Sequence, residues 1–290
     1  MDSKQIQWFP GHMAKTRRLI SDNLKNVDIV IEILDARIPI SSRNPEITKL
    51  KENKPSIIIL NKATLADPEQ NRIFCEYYQN DSTRCILADC ISGDGLSKIV
   101  PAVKEVLKDK IDRYEQKGMS GRRLFAMVLG IPNVGKSTLI NKLSGGKKAK
   151  VENRPGVTRD KQWVSTKIGI DLLDMPGILW PKFEDKTTGE NLALTGAVKD
   201  DILDIESLAM TLCNRLRNLY PERLCERYKL GTPDVFENLT DYELLCLIGK
   251  KRGFLISGGE IATERCADML IDELRCGKLG RITLDRIQGV

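Results

Sequence analysis

Residues 130–137 read GIPNVGKS, a GxxxxGK[ST] run bounded by an apolar stretch before it (LFAMVL, 124–129) and a helix-compatible stretch after it. Such a run wraps the β-phosphate of a nucleotide in backbone N–H groups, while Lys136 reaches between the β- and γ-phosphates and the Ser137 hydroxyl offers a Mg²⁺ ligand. Downstream, Asp174-Met175-Pro176-Gly177 has the DxxG form. There Asp174 holds Mg²⁺ through water and the Gly177 N–H senses the γ-phosphate. Between the two lies Arg154-Pro155-Gly156-Val157-Thr158, whose threonine is the candidate to close over the metal in the triphosphate state. A further stretch, Asn61-Lys62-Ala63-Thr64, has the look of a guanine-reading loop, yet it precedes Gly130 by 69 residues.

That order is unusual, because base-reading loops ordinarily follow the phosphate loop. Here they come first, then the phosphate loop, then Thr158, then DxPG, which is the order of a circularly permuted GTPase. Permutation preserves the site, since the loops still meet at one edge of the sheet, and moves the chain ends. The elements that must position the loops follow. VDIVIEIL (27–34) and SIIIL (56–60) are short, β-branched, apolar runs that read as buried parallel strands, the second delivering Asn61. A third run, 85–88, leads to Asp89-Cys90 and the turn SGDG. Apolar spacing predicts a helix over 96–110, a polar connector over 112–123, a strand at 124–129, a helix from Lys136 to Leu143, an alternating strand over 162–168 and a strand ending at Asp174. Strands alternating with helices imply a doubly wound, mostly parallel α/β sheet.

From about residue 190 the pattern changes to helices. Leu208, Leu212, Leu216 and Leu219 recur at helical spacing, Thr240-Asp241-Tyr242-Glu243 is a capping box opening 242–248, and 259–275 is amphipathic and closed by Gly277. The expected organisation is an N-terminal arm (1–22), a permuted P-loop GTPase domain (23–185) and a small all-α domain (190–290).

Two missing groups shape the expected chemistry. Ile178 stands just after DxxG, where a water-positioning Gln is familiar, and an aliphatic side chain cannot orient water, so intrinsic hydrolysis should be slow. The chain has a single histidine, His12, in WFPGHMAK, and no other imidazole could supply that role. In NKxD loops an Asp carboxylate accepts from both N1–H and the exocyclic amine of guanine; here the position is Thr64. Loss of a charge-assisted pair costs about 1.5–3 kcal/mol, which weakens GTP affinity and leaves ATP or relaxed specificity open. Asp67, three residues on, is the compensating carboxylate to consider.

Composition adds bounds. With 290 residues, 41% hydrophobic and 30% charged, the chain has the profile of a globular protein large enough for two domains. Neither an apolar run of membrane-spanning length nor a secretion-like N-terminal segment is evident, so a cytoplasmic location without membrane contact is expected. The eight cysteines form no CxxC pair, which argues against zinc and for reduced thiols. Residues 1–189 hold 32 Lys and Arg against 23 Asp and Glu, and the remainder 14 against 17. The basic excess of the nucleotide half suits a polyanion such as structured RNA, or equally a solvated lysine-rich face.

The assembled motifs resemble the YlqF-type circularly permuted GTPases involved in ribosome biogenesis. The likeness is carried nearly end to end by WFPGHMAK (8–15), DARIPISSRNP (35–45), LNKA (60–63), GIPNVGKSTLIN (130–141), RPGVT (154–158), DMPGILWPKFED (174–185), KRGFLISGG (251–259) and KLGRITLD (278–285). It implies a GTP-hydrolysing factor for late maturation of the large ribosomal subunit, binding its rRNA and stimulated by the particle. It also implies that Asn61, Lys62, Ala63 and Thr64 face the base with Asp89 and Cys90, and that Asn133, Val134, Gly135, Lys136, Ser137 and Thr138 bind phosphate and Mg²⁺. Asn133 resembles an asparagine tied to K⁺ activation, His12 becomes the water-positioning residue once the particle orders the arm, and the helical domain would contact RNA near Lys251, Arg252, Lys278 and Arg281. The expected state is a monomer exchanging GTP and GDP. Two departures touch base specificity: Thr64 for Asp, and Asp89-Cys90 for the more usual Asn followed by Ser or Ala.

Overall fold

The computed structural model describes residues 10–51, 54–146, 162–180, 183, 185–198 and 204–287, with the backbone alone for 10–14. Its centre is a six-stranded sheet of β1 (Ile29–Asp35), β2 (Ser56–Asn61), β3 (Thr83–Leu87), β4 (Leu124–Leu129), β5 (Gln162–Val164) and β6 (Ile170–Asp174), in the order β3-β2-β1-β4-β6-β5. Every pairing is parallel except β5 with β6. β1 and β2 are buried along their whole length, as continuous β-branched runs covered on both faces require. Glu32 is the charge in the middle of β1, and Lys51 meets it at 2.9 Å.

From β1 the chain steps outward through β2 to β3. β4 then lies on the other side of β1, and the chain goes on to the edge as β5 and returns as β6 between β5 and β4. The switch point therefore lies between β1 and β4, and ligands of such sheets bind beyond the carboxyl ends of the strands there. Asp35, Asn61, Gly130 and Asp174 all sit at those ends. Helices α1 (Pro10–Leu24), α2 (Pro45–Lys51), α3 (Pro68–Tyr78), α4 (Ile99–Val106), α5 (Lys108–Gln116) and α6 (Lys136–Ser144) accompany the sheet.

The predicted polar connector is helical in its first part, because α5 runs to Gln116; Lys110 and Arg122 lie against the Tyr114 ring and give this solvated turn an anchor. The strand expected over 162–168 stops at Val164, and the chain turns through Gly169 at φ 80° to re-enter as β6.

The helical region comprises α7 (Lys186–Leu194), α8 (Ile205–Leu219), α9 (Pro221–Tyr228), α10 (Asp241–Lys251) and α11 (Thr263–Arg275). The capping box forms as read: Thr240 accepts from the Glu243 N–H and Glu243 accepts from the Thr240 N–H. The third amphipathic segment begins as a helix only at Thr263. Gly258 and Gly259 adopt φ 94° and 82°, outside helical space, and close a turn in which Leu255 bridges Ile261.

One buried apolar cluster joins the sheet's Ile31 and Val128 to Leu212 of α8 and Leu270 of α11. The segment after α11 returns to the nucleotide half, where the Ile282 N–H donates to Leu65 O at 2.9 Å and the Leu284 N–H to Arg37 O at 2.7 Å.

Candidate nucleotide site

β4 opens into the turn 130–135, and Gly135 caps α6 at φ 106°. The conformation and the space both demand glycine, since a Cβ there would lie 2.3 Å from Asn61 Nδ2. The two loops that sequence separates are thus in contact. Asn61 Nδ2 donates to Val134 O at 2.7 Å while its Oδ1 accepts from the Cys90 N–H at 2.9 Å. Lys62 Nζ reaches Asn133 O at 3.0 Å, and the Ala63 N–H donates to Ala88 O at 3.1 Å. Asn61 therefore ties the phosphate loop to the loops after β2 and β3, with Lys62 adding a second contact to the phosphate loop. Lys62 and Asn133 take φ 60° and 57°, a left-handed conformation that non-glycine residues rarely adopt outside constrained sites.

On the phosphate side, Lys136 Nζ donates to Gly130 O at 3.1 Å and Ile131 O at 2.9 Å. Burial pulls its ammonium down to about 8, with Asp174 opposing the shift. Burial likewise pushes Asp174 up to about 6, against the pull of Lys136. Among the described residues Asp174 Oδ1 has no hydrogen-bond partner despite its burial, and Ser137 lies in the first turn of α6. Hydroxyl and carboxylate oxygens of this kind suit Mg²⁺, which supplies charge neutralisation on β- and γ-phosphate oxygens when bound. The DxPG loop is pressed onto the phosphate loop: a Cβ at Gly177 would lie 2.9 Å from Pro132 N and 3.0 Å from Lys136 Nζ.

Ile178 turns inward. It joins Ile20, Val30 and Met127 in a buried cluster, and its carbonyl accepts from Asn44 Nδ2 at 3.1 Å. α1, whose first turn contains His12, is anchored in the same cluster through Ile20. The His12 side chain and Thr158 lie outside the described residues.

Several expectations change in detail. Asp67 does not stand in for the missing base-reading carboxylate: it caps α3, Oδ1 accepting from the Glu69 and Gln70 N–H groups and Oδ2 from Tyr220 Oη. Thr64 instead donates its hydroxyl to Asp89. Asn133 Nδ2 donates to Gly196 O at 2.7 Å, at the end of α7. All four cations read as RNA contacts, Lys251, Arg252, Lys278 and Arg281, are exposed, and two of them also have partners within the chain. Arg252 lies 3.5 Å from Glu273, and Arg281 is tied to Ala66 O and Ala63 O at 2.8 and 3.0 Å, holding the turn that carries Thr64.

Residues that motif reading did not assign prove central. Asp35 accepts from Arg37 Nη2 at 2.7 Å, Arg37 Nε at 2.9 Å and Lys62 Nζ at 2.8 Å, and the two cations hold its carboxyl far below the usual carboxylate range against the effect of burial. Burial draws Lys62 down, Asp35 working against it. Arg37 Nη1 continues to Leu274 O and Arg275 O at the end of α11. Asp285, near the end of the described chain, accepts from the Ser41 N–H and hydroxyl, both at 2.7 Å, and from Asn191 Nδ2 at 2.8 Å. The signal was present in DARIPISSRNP, whose charged and hydroxyl residues directly follow an apolar strand.

Comparison with known proteins agrees with this geometry. Residues 125–218 match the family described as "50S ribosome-binding GTPase". The chain is 46% identical over 281 residues to "Ribosome biogenesis GTPase A" of Bacillus pumilus, covering 97% of this chain and 98% of that protein. It is 37% identical to "Mitochondrial ribosome-associated GTPase 1" of Xenopus tropicalis, over 78% of this chain and 75% of that one. Among solved structures, GNP-bound YlqF from T. maritima superposes with a TM-score of 0.62 at 26% identity, covering 95% of this chain and all of that one.

Proposed function

The chain belongs to the ribosome biogenesis GTPase A family, a family of GTP-hydrolysing enzymes, and from that premise we propose that it drives late maturation of the large ribosomal subunit as a GTP-dependent switch. The observation that carries the reading is the contact of Asn61 with Val134 and Cys90, which assembles base and phosphate loops into one guanine-nucleotide site. Mg-GTP orders Thr158 and Gly177, the ordered form prefers the immature particle, and engagement triggers hydrolysis and release. Thermodynamically the particle must bind the triphosphate and diphosphate states unequally.

Because Ile178 is buried and aliphatic, the group that positions water comes from elsewhere, and His12 fills that role when the particle brings the N-terminal arm into the site. The anchoring of α1 beside Ile178 supports this assignment. K⁺ acts as activator through Asn133, whose Oδ1 would hold the ion while Nδ2 donates to Gly196 O. Lys251, Arg252, Lys278 and Arg281 are exposed cations for rRNA, Arg252 and Arg281 having partners within the chain as well; the names of the relatives point to the ribosome.

Ile178 favours one second reading, an RNA-binding scaffold that holds nucleotide with little turnover. Co-sedimentation with purified large subunits tests the switch. Retention with a non-hydrolysable GTP analogue and release with GDP are expected, and equal retention in both states contradicts it.

A further inference from the structure

The two residues that depart from the usual guanine-reading loops are bonded to each other. Thr64, exposed on the turn after β2, donates its hydroxyl hydrogen to Asp89 Oδ2 on the loop after β3. Asp89 is buried, and its other oxygen accepts from the Ile91 N–H at 2.8 Å and the Ser92 N–H at 3.2 Å. Both loops are rigidly held. The Asp89 N–H donates to Asp94 O and the Gly93 N–H to Asp89 O, while the next residue, Cys90, is tied by its N–H to Asn61. On the other side, Arg281 and Asn71 both donate to Ala63 O, next to Thr64.

A threonine hydroxyl has one hydrogen to give and two lone pairs to offer. With its hydrogen committed to a carboxylate, Thr64 Oγ1 presents acceptors alone, and the pair carries one full negative charge. Guanine offers two donors on its Watson–Crick edge, N1–H and the 2-amine. Adenine offers there an N1 lone pair, which an acceptor-only group repels.

We propose that Thr64 and Asp89 act as one unit that reads the guanine edge, the usual carboxylate having moved from position 64 to position 89, with Thr64 as its intermediary. The proposal deepens the guanine-nucleotide reading above and rests on it. Its consequence is that the substitution at residue 64 does not relax base specificity.

Direct calorimetric titration with GDP, IDP, XDP and ADP tests it, because IDP lacks the 2-amine and XDP replaces it with a carbonyl. Wild type should bind GDP at least about tenfold tighter than IDP or ADP, the span expected of a hydrogen bond to a charged group. Asp89→Asn should weaken GDP by about ten- to a hundredfold and improve XDP relative to GDP, since an amide that donates to Thr64 Oγ1 frees the Thr64 hydroxyl hydrogen for the xanthine carbonyl. Thr64→Val should narrow the GDP-to-ADP ratio, and the exchange Thr64→Asp with Asp89→Asn should restore it.

If Asp89→Asn weakens all four nucleotides by one common factor, Asp89 serves only to shape the loop through Ile91 and Ser92, and the proposal is overturned. Wild type that bound GDP no tighter than ADP would remove the guanine reading itself, a separate failure visible before any variant is compared.

Discussion

Replacing Asp35 by Ala should strip the nucleotide site of its internal support. The carboxylate is almost fully buried, Arg37 is equally so, and Lys62 is about one-fifth exposed, with contacts of 2.7–2.9 Å from three side-chain nitrogens. Removing it leaves two cations facing each other with no anion between them. Breaking a buried pair by deleting one partner costs about 3–5 kcal/mol, a large share of the roughly 5–15 kcal/mol by which domains are stable. Urea unfolding followed by fluorescence should show a lower midpoint with an unchanged slope. Because the folded carboxyl is depressed, its contribution is complete above the unfolded value near 3.9 and is lost as pH falls below that toward the folded value. Stability of the wild type should therefore decline on acidification below about pH 4 more steeply than that of Asp35→Ala. A loss under about 1 kcal/mol, or identical acid limbs in the two proteins, would refute the view that this triad anchors Lys62.

Other consequences are equally direct. Gly135→Ala places a Cβ against Asn61 in a left-handed conformation, so GDP affinity should fall by tenfold or more in a titration while the fold persists by circular dichroism. Because burial raises Asp174 to about 6, lowering pH from 7.5 to 5.5 protonates it and should raise the Mg²⁺ concentration needed to slow release of fluorescent GDP; a pH-independent Mg²⁺ requirement contradicts its metal role. Asp285→Ala removes the acceptor of the Ser41 N–H and hydroxyl and one of the two acceptors of Asn191 Nδ2, and should cost about 2–4 kcal/mol in a denaturant titration, whereas a neutral result would show that the segment after α11 is not an anchor. Gly177→Ala, crowding Pro132 and Lys136, should reduce GTP turnover more than GDP binding.

The sequence disclosed the elements with strong periodicity or strict motif grammar. β1 and β2 were legible because IVIEIL and SIIIL are short and rich in β-branched residues, which favours a doubly covered parallel strand over a buried helix, and the capping box at Thr240 announced α10. What stayed hidden depends on contacts between distant residues. Asp35 and Lys62 are 27 positions apart, Ser41 and Asp285 are 244 apart, and no local pattern encodes either pairing. By sequence Thr64 is a loss for base recognition and Asp89 a departure that touches base specificity, because the bond between them exists only once β2 and β3 align side by side. Asp67 misled in the opposite sense: its closeness in sequence suggested the base, whereas the start of α3 claims its carboxylate as a cap.

The account stands most directly on particle-triggered hydrolysis. Phosphate release from GTP should be measured in K⁺ buffer with and without purified large ribosomal subunits, for wild type and His12→Ala. Slow intrinsic turnover, strong stimulation by subunits and collapse of that stimulation in the variant are predicted. Turnover that subunits leave unchanged would contradict the switch and leave an RNA-binding scaffold in its place.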